Sequence, residues 1–380
     1  MRGIIAPALV HERDLTIFNP DMELALMFAL MEYDKRRHDQ FREASYEFFS
    51  KILWPLTLIQ AGPANYIGID RMKLFFDLQF KITDFISSKS GILSELNQEI
   101  NKPQARIEHL TRWIDEIKAP FKKDLMIKGI IGPEILHGLV PLIKLATDKS
   151  ITSGKLEPII STDNLIEITN RYNQALKNIE ETISKWHSLQ QKVKQKIEKW
   201  RLSYSNTSST KEQEQIESKF KELNEKIQKN IWACRSEIEY LFHWAIPGQT
   251  LNLVVPYTEI WISMYLAKII LPNKAKKFLL LPPSIFSEEI KSKRWVPVDT
   301  FHTSFYSILK EKIESTLEIQ PQLTQKIETI CNAQNLFLKD EANKLIARGI
   351  DQIQERQLID GKYIKALQSE WQNITQRLKK

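Results

Sequence analysis

Residues 176–200, LKNIEETISKWHSLQQKVKQKIEKW, and residues 216–241, IESKFKELNEKIQKNIWACRSEIEYL, carry two apolar stripes that decide the architecture. In the first, Leu176, Ile183, Gln190 and Ile197 recur every seven residues, and Ile179, Trp186, Val193 and Trp200 follow three places on, the a and d spacing of a helical seam. In the second, Ile216, Leu223, Asn230 and Glu237 take d positions while Phe220, Ile227, Cys234 and Leu241 take a positions. Folding the chain back at Asn206 and Thr207 sets Ile197 against Ile216, Val193 against Phe220, Gln190 against Leu223, Trp186 against Ile227 and Ile179 against Cys234. Every a then meets a d, as antiparallel helices require, and one constant offset generates all the layers. The fold-back lies in residues 203–210, where Ser, Thr and Asn side chains compete with helical backbone bonds and favour a turn.

At 1.5 Å per residue these arms make a rod on the order of 50 Å long, more than a modest core can cover. The expectation is therefore an arm that stands clear of a body. Trp186 and Trp200 crowd a two-stranded seam, which points to contact with a third element or a partner. Packing inside the hairpin alone is the plainer alternative. Gln190 and Asn230 interrupt apolar layers, as polar residues that fix register do.

The first arm holds Lys177, Lys185, Lys192, Lys194, Lys196, Lys199 and Arg201 against Glu180, Glu181 and Glu198, and the excess gathers toward the tip. Lys192, Lys194, Lys196, Lys199, Trp200, Arg201 and Tyr204 are accordingly the candidate partner-binding residues. Held on a stiff arm, they could meet a protein surface with little ordering cost. The same cations could also follow a phosphate backbone, with the rings free to stack on bases. Against both readings, Glu212, Glu214, Glu217, Glu222 and Glu225 of the second arm could pair across the hairpin and leave an ordinary solvated flank.

Around the rod, the 380 residues with 42% hydrophobic content have the composition of a globular chain of two or three structural units. A formal charge of +7 is a mild bias over so large a surface. Cys234 and Cys331 lie too far apart in sequence for a CxxC pair and suggest neither a zinc ribbon nor a disulfide scaffold. The start lacks the long apolar segment of a secretory signal, and the hydrophobic run at 24–31 is too short to cross a bilayer, so the expected location is the cytoplasm, with no transmembrane segment.

Asn19, Pro20, Asp21 and Glu23 make a helix start, and the expected helix runs to about Lys51. Residues 54–60, 66–70 and 73–83 read as strands, as do 251–255, 258–266 and 277–281 after the rod. Neither group is secure alone. The economical arrangement is one mixed sheet built from both, with the helical stretch inserted, while two tandem β subdomains is the competing arrangement. Four helices follow Arg294, the last with Ile364, Leu367, Trp371, Ile374 and Leu378 on one face. The expected fold class is α+β, predominantly α. The expected division is a split α/β body at 1–95 and 246–300, a helical connector at 96–160, the hairpin arm at 161–245 and a C-terminal helical region at 301–380.

Chemistry-bearing motifs are sparse. Gly129, Gly132 and Gly138 do not make GxGxxG, Ser153-Gly154-Lys155 lacks the upstream glycine of a P-loop, and neither GxSxG nor HExxH occurs. His11 with Glu12 and Asp14 is the densest acid and base cluster, for which a strand end is as good an account as a site; Asp70, Glu259 and Asp299 also fall near strand ends. No catalytic, metal or cofactor site is expected from these spacings. The reading that follows is a non-enzymatic interaction or scaffold protein presenting its arm to a protein partner. A nucleic-acid-associated protein using the same basic arm is the alternative, and an enzyme with a cleft formed by the split sheet is the third.

Overall fold

A computed structural model describes residues 2–11, 14–62, 64–74, 77–86, 90–117, 122–148, 154–203, 209–251, 256–286, 298–299 and 303–380. The chain begins with β1 (Arg2–Ala6), β2 (Leu9–His11), α1 (Pro20–Arg37), β3 (Ser45–Ala61), β4 (Asn65–Asp70), β5 (Asp77–Thr83), α2 (Gly91–Glu95), α3 (Pro103–Ile117) and β6 (Lys122–Lys128). It continues with α4 (Pro133–Leu145), α5 (Thr162–Leu202), α6 (Thr210–His243), β7 (Ala245–Pro247), α7 (Gly248–Leu251), β8 (Tyr257–Ile270), β9 (Lys276–Leu281), β10 (Ser284–Phe286) and β11 (Val298–Asp299). Four helices close it: α8 (Thr303–Ile319), α9 (Pro321–Ala333), α10 (Asp340–Glu355) and α11 (Gly361–Lys379). The fold is α+β and predominantly helical, with a mixed sheet and a long helical region. Two compact units divide it: Met1–Phe76 with Gly129–Ile166 and Ala245–Lys380, and Asp77–Lys128 with Glu167–Trp244.

The first unit is organised by a six-stranded sheet in the order β1-β8-β3-β4-β7, with β9 also on β8. β3 and β8 pair antiparallel from Ser45↔Ile270 to Ile59↔Tyr257, so the two chain segments read separately in the sequence meet in a single sheet. On its other edge β8 takes β1 in parallel along its first half and β9 antiparallel along its second. Successive residues of β3 and β8 alternate between two cores, as strand geometry demands. Ile52, Trp54, Met264 and Leu266 lie in one, with Leu136 of α4, Ile313 of α8 and Ile327 of α9. Phe49, Tyr265, Ala267 and Ile269 lie in the other, with Phe28 of α1, Ile350 of α10 and Trp371 of α11. The C-terminal helices therefore cover both faces rather than forming a region of their own.

The turn from α9 to α10 is pinned to the sheet where β3 is irregular. The pairing with β8 shifts register between Tyr46 and Phe48, which leaves Glu47 outside the ladder. Asn335 fills the gap: its Oδ1 accepts from the Phe49 and Phe337 amides at 3.3 and 3.2 Å, and its Nδ2 donates to the Glu47 carbonyl at 3.2 Å. Close approach of α10 to α1 depends on Gly349, where a Cβ would lie 2.1 Å from the Asp21 carbonyl oxygen.

The start of α1 is as expected, with Asn19 Oδ1 accepting from the Met22 amide and Pro20 in the first turn. Its end is not. The helix stops at Arg37 rather than near Lys51, and Ser45 already opens β3, because the aromatic and β-branched run 45–61 finds a partner strand along nearly its whole length. The charged second half of α1 is partly buried. Glu32 and Lys35 are buried, with the Lys35 ammonium 3.4 Å from Glu32, 3.7 Å from Glu370 of α11 and 4.6 Å from the Tyr46 ring centre. Of the expected strand at 251–255, Leu251 ends α7 and residues 252–255 lie outside the described residues.

The second unit contains the hairpin, and three hydrogen-bonded sites along it fix its antiparallel register. Tyr172 Oη donates to the Leu241 carbonyl at 2.6 Å, Gln190 Nε2 donates to Asn224 and Gln228, and Arg201 pairs with Glu217 at 2.6 Å. Residues 172 and 241 have the same offset as the layers read from sequence. Ile179, Trp186, Val193, Ile197, Ile216, Leu223, Ile227 and Cys234 are all buried. A capping box between Ser209 and Glu212 starts α6; the fold-back residues Asn206 and Thr207 lie outside the described residues.

The hairpin is not bare. α3 packs against α6, and β5 and β6 form an antiparallel ribbon whose β5 also meets α6. The compact units cut the chain at places other than the expected 96–160 connector, since 77–128 belongs with the hairpin and 129–166 with the sheet.

Candidate functional site

α5 carries eight basic residues, seven of them from Lys177 onward, and the structure sorts those near its end into three groups. Lys192, Lys194 and Lys199 are exposed and form no ion pair with any described residue. Arg201 is already engaged: it donates to both Glu217 oxygens at 2.8 and 2.6 Å and to Glu198 at 3.1 Å. Those bonds hold the Glu217 carboxyl below its ordinary range and raise the guanidinium further. Lys196 is drawn inward to donate to the Gln98 carbonyl; burial, then the neighbouring Lys199, lowers its pKa.

Trp200 is an interior residue rather than an exposed tip. It is 4% accessible and stacks on Trp113 of α3, with ring centres 6.2 Å apart and planes 18° apart. The Arg106 guanidinium sits 5.4 Å from the Trp200 ring, donates to Ser203 Oγ at 2.8 Å and reaches the Ile100 carbonyl at 2.9 Å. The crowding that suggested a third element at both tryptophans is relieved within this chain, because Phe85 also meets Trp186 edge-on at 4.9 Å. Tyr204 lies outside the described residues. The structure thus gathers Lys196 and Trp200 into the frame, ties the exposed Arg201 to Glu217 and Glu198, and leaves Lys192, Lys194 and Lys199 exposed and without an ion pair among the described residues.

Cross-hairpin pairing explains only part of the charge. Residues 185–201 hold six basic residues and one acid, whereas 211–229 hold five of each, so the facing helix is neutral there and the excess stays on α5. Glu222 pairs with Lys219 and Lys226 of its own helix rather than with α5.

Other sequence candidates resolve into structural roles. Asp70 is buried and accepts from Trp54 Nε1 at 2.8 Å and from the amides of Met72 and Leu74, closing the turn after β4. Glu259 pairs with Arg71 at 3.3 Å. Asp14 accepts from the Thr16 amide and hydroxyl and lies 3.6 Å from His11, as in a strand-end turn; Glu12 lies outside the described residues. Asp299 is in the two-residue strand β11.

One acid and base cluster escaped the sequence reading. Glu95 Oε2 accepts from His109 Nδ1 at 2.6 Å and Trp113 Nε1 at 2.8 Å, with Arg112 at 3.0 Å. Burial raises the Glu95 carboxyl, but these partners outweigh it and hold the pKa below its usual value. The spacing of His109, Arg112 and Trp113 on one helical face was visible; Glu95 joins them only through the turn between α2 and α3. Its bonds orient Trp113 toward Trp200 and serve packing.

Burial pushes the Cys234 thiol up to about 12 and raises that of Cys331 as well, which suppresses thiolate formation. Among the described residues, no group of three or more His, Cys, Asp or Glu side chains is placed to hold a metal ion, and no helix is long and apolar enough to cross a membrane. Comparison with protein families, with curated proteins and with solved structures finds no match to this chain.

Proposed function

We propose that this chain is a cytoplasmic interaction protein, and that the exposed side of α5 carrying Lys192 and Lys199, with Lys194 on the opposite flank of the seam, docks a protein partner bearing an acidic surface. The observation that carries this reading is the division of labour at the end of the helix. Trp200 and Lys196 are held in the frame and the exposed Arg201 is paired with Glu217 and Glu198, while the ammonium groups of Lys192, Lys194 and Lys199 are left without an acidic partner among the described residues. A surface held rigid by its own interior loses little entropy on docking, so even modest charge complementarity is available for affinity and for steering the encounter.

The test is the triple variant Lys192→Glu, Lys194→Glu, Lys199→Glu. Loss of a partner that co-purifies with the wild type, with unchanged helical content, supports the role; equal recovery by both proteins removes it. Crosslinks from the partner should map to 185–202. Binding to nucleic acid is the second reading, favoured by the same basic excess but weakened by the burial of Trp200, which is unavailable for base stacking. It requires RNA or DNA binding that falls steeply with salt and falls again in the triple variant.

A further inference from the structure

The outward side of α6 carries a second heptad, separate from the seam it shares with α5. Trp232 and Glu239 stand seven residues apart, as do Arg235 and Phe242, and the two series interleave at steps of three and four. Trp232 and Glu239 thus take a positions, and Arg235 and Phe242 take d positions, of a face turned away from Ile227, Cys234 and Leu241. Unlike the inner seam, this face is left uncovered by the described residues: Trp232 is 59% exposed and Phe242 44%, and Arg235 and Glu239 are exposed as well. Neither Arg235 nor Glu239 forms an ion pair with a described residue. Their order along the helix, base before acid at i and i+4, is the weaker one for pairing within the helix.

The pattern is its own complement. In an antiparallel pair each a meets a d of the facing helix, which sets Trp232 of one copy beside Phe242 of the other and Arg235 beside Glu239. A two-fold axis at the level of residue 237 repeats both contacts, so four residues make two aromatic pairs and two opposite-charge pairs. This is the relation that an isologous dimer interface requires. A parallel pair would instead set Arg235 against Arg235 and Glu239 against Glu239. We infer that α6 docks antiparallel on α6 of a second copy of this chain through Trp232, Arg235, Glu239 and Phe242. The inference does not rest on the function proposed for α5, whose lysines lie elsewhere on the hairpin. The patch is short, burying on the order of 1,000 Å² in total, so the dimer dissociates on dilution.

Sedimentation equilibrium of the full chain over a wide concentration range tests this. The wild type is expected to pass from monomer to dimer, and Arg235→Glu and Glu239→Arg are each expected to weaken the dimer about tenfold or more by setting like charges together. The double variant Arg235→Glu, Glu239→Arg should recover wild-type association. An equimolar mixture of the two single variants should form a heterodimer, because one then presents two acids and the other two bases. All four positions are exposed, and circular dichroism checks that the fold is kept. A wild type that stays monomeric, single variants that dimerise undiminished, or a mixture that fails to associate would each overturn the proposal.

Discussion

Both units satisfy a strand with a glutamate from a helix, but in different surroundings. In the sheet unit, Glu314 of α8 accepts from the Leu280 amide of β9 at 2.7 Å. In the helical unit, Glu237 of α6 accepts from the Thr83 amide of β5 at 2.8 Å and from its hydroxyl at 2.6 Å. Burial raises the pKa of both, Glu314 to about 7. Glu314 sits in a charged row, with Lys310 at 3.9 Å and Asp34 and Glu318 acting on it, whereas Glu237 has the Thr83 hydroxyl and the distant charge of Lys122. An unpaired strand amide is costly to bury, and a helix carboxylate placed over it meets that cost in either architecture. The contrast shows where each unit keeps its stability: the first in two apolar cores on a sheet, the second in one seam braced by aromatic stacking.

The sharpest way to break that contrast is Trp200→Ala. As an exposed binding tip its loss would change stability by no more than about 0.5 kcal/mol, whereas an interior ring stacked on Trp113 should cost about 3–5 kcal/mol in urea unfolding. Gly349→Ala probes the sheet unit. A Cβ cannot fit beside the Asp21 carbonyl without moving α10 from α1, so a loss of about 3 kcal/mol is expected, with amide protection falling in both helices. Asn335→Ala leaves two amides and a carbonyl unpaired at the irregular point of β3 and should cost about 2 kcal/mol.

The acid at β9 yields a smaller effect with a definite sign. Glu314 keeps its proton up to about 7 when folded but releases it near 4.5 when unfolded, so the folded state binds more protons between those values. Its contribution is fully present below pH 4.5 and is lost as pH rises to about 7. The carboxyl is about a quarter exposed and beside Lys310, so solvent screening reduces the change to on the order of 1 kcal/mol. Glu314→Gln, which can still accept from the amide, should flatten stability across that window; an unchanged slope would assign it to other groups. Smallest of all, Lys194→Glu should alter stability by less than about 0.5 kcal/mol, since the exposed side chain supports no described contact.

Much of the helical unit was legible because its main signal is local. Heptads on 176–200 and 216–241 state both the helices and their register, and a single offset reaches from Ile197 with Ile216 to Tyr172 with Leu241. The strands of 54–60 and 258–266 were legible from composition, and their joining in one sheet from the need to complete it. The end of α1 was not, since residues 45–51 support either state until β8 pairs with them. Nor could the candidate tip be sorted. Lys192 and Lys196 look alike in sequence, but only Lys196 lies beside the Gln98 carbonyl, and the fate of Trp200 depends on Trp113, eighty-seven positions away.

By itself the sequence determined the helical hairpin, its antiparallel register, the mixed sheet from two segments and the helical C-terminal part, because hydrophobic periods of seven, 3.6 and two residues are set by covalent geometry. Tertiary structure alone decided which basic residues stay unpaired, which aromatic rings meet Trp186 and Trp200, and that α3 and the β5–β6 ribbon brace the hairpin. Those outcomes depend on side chains far apart in the chain competing for the same space, and no local pattern records which of them wins.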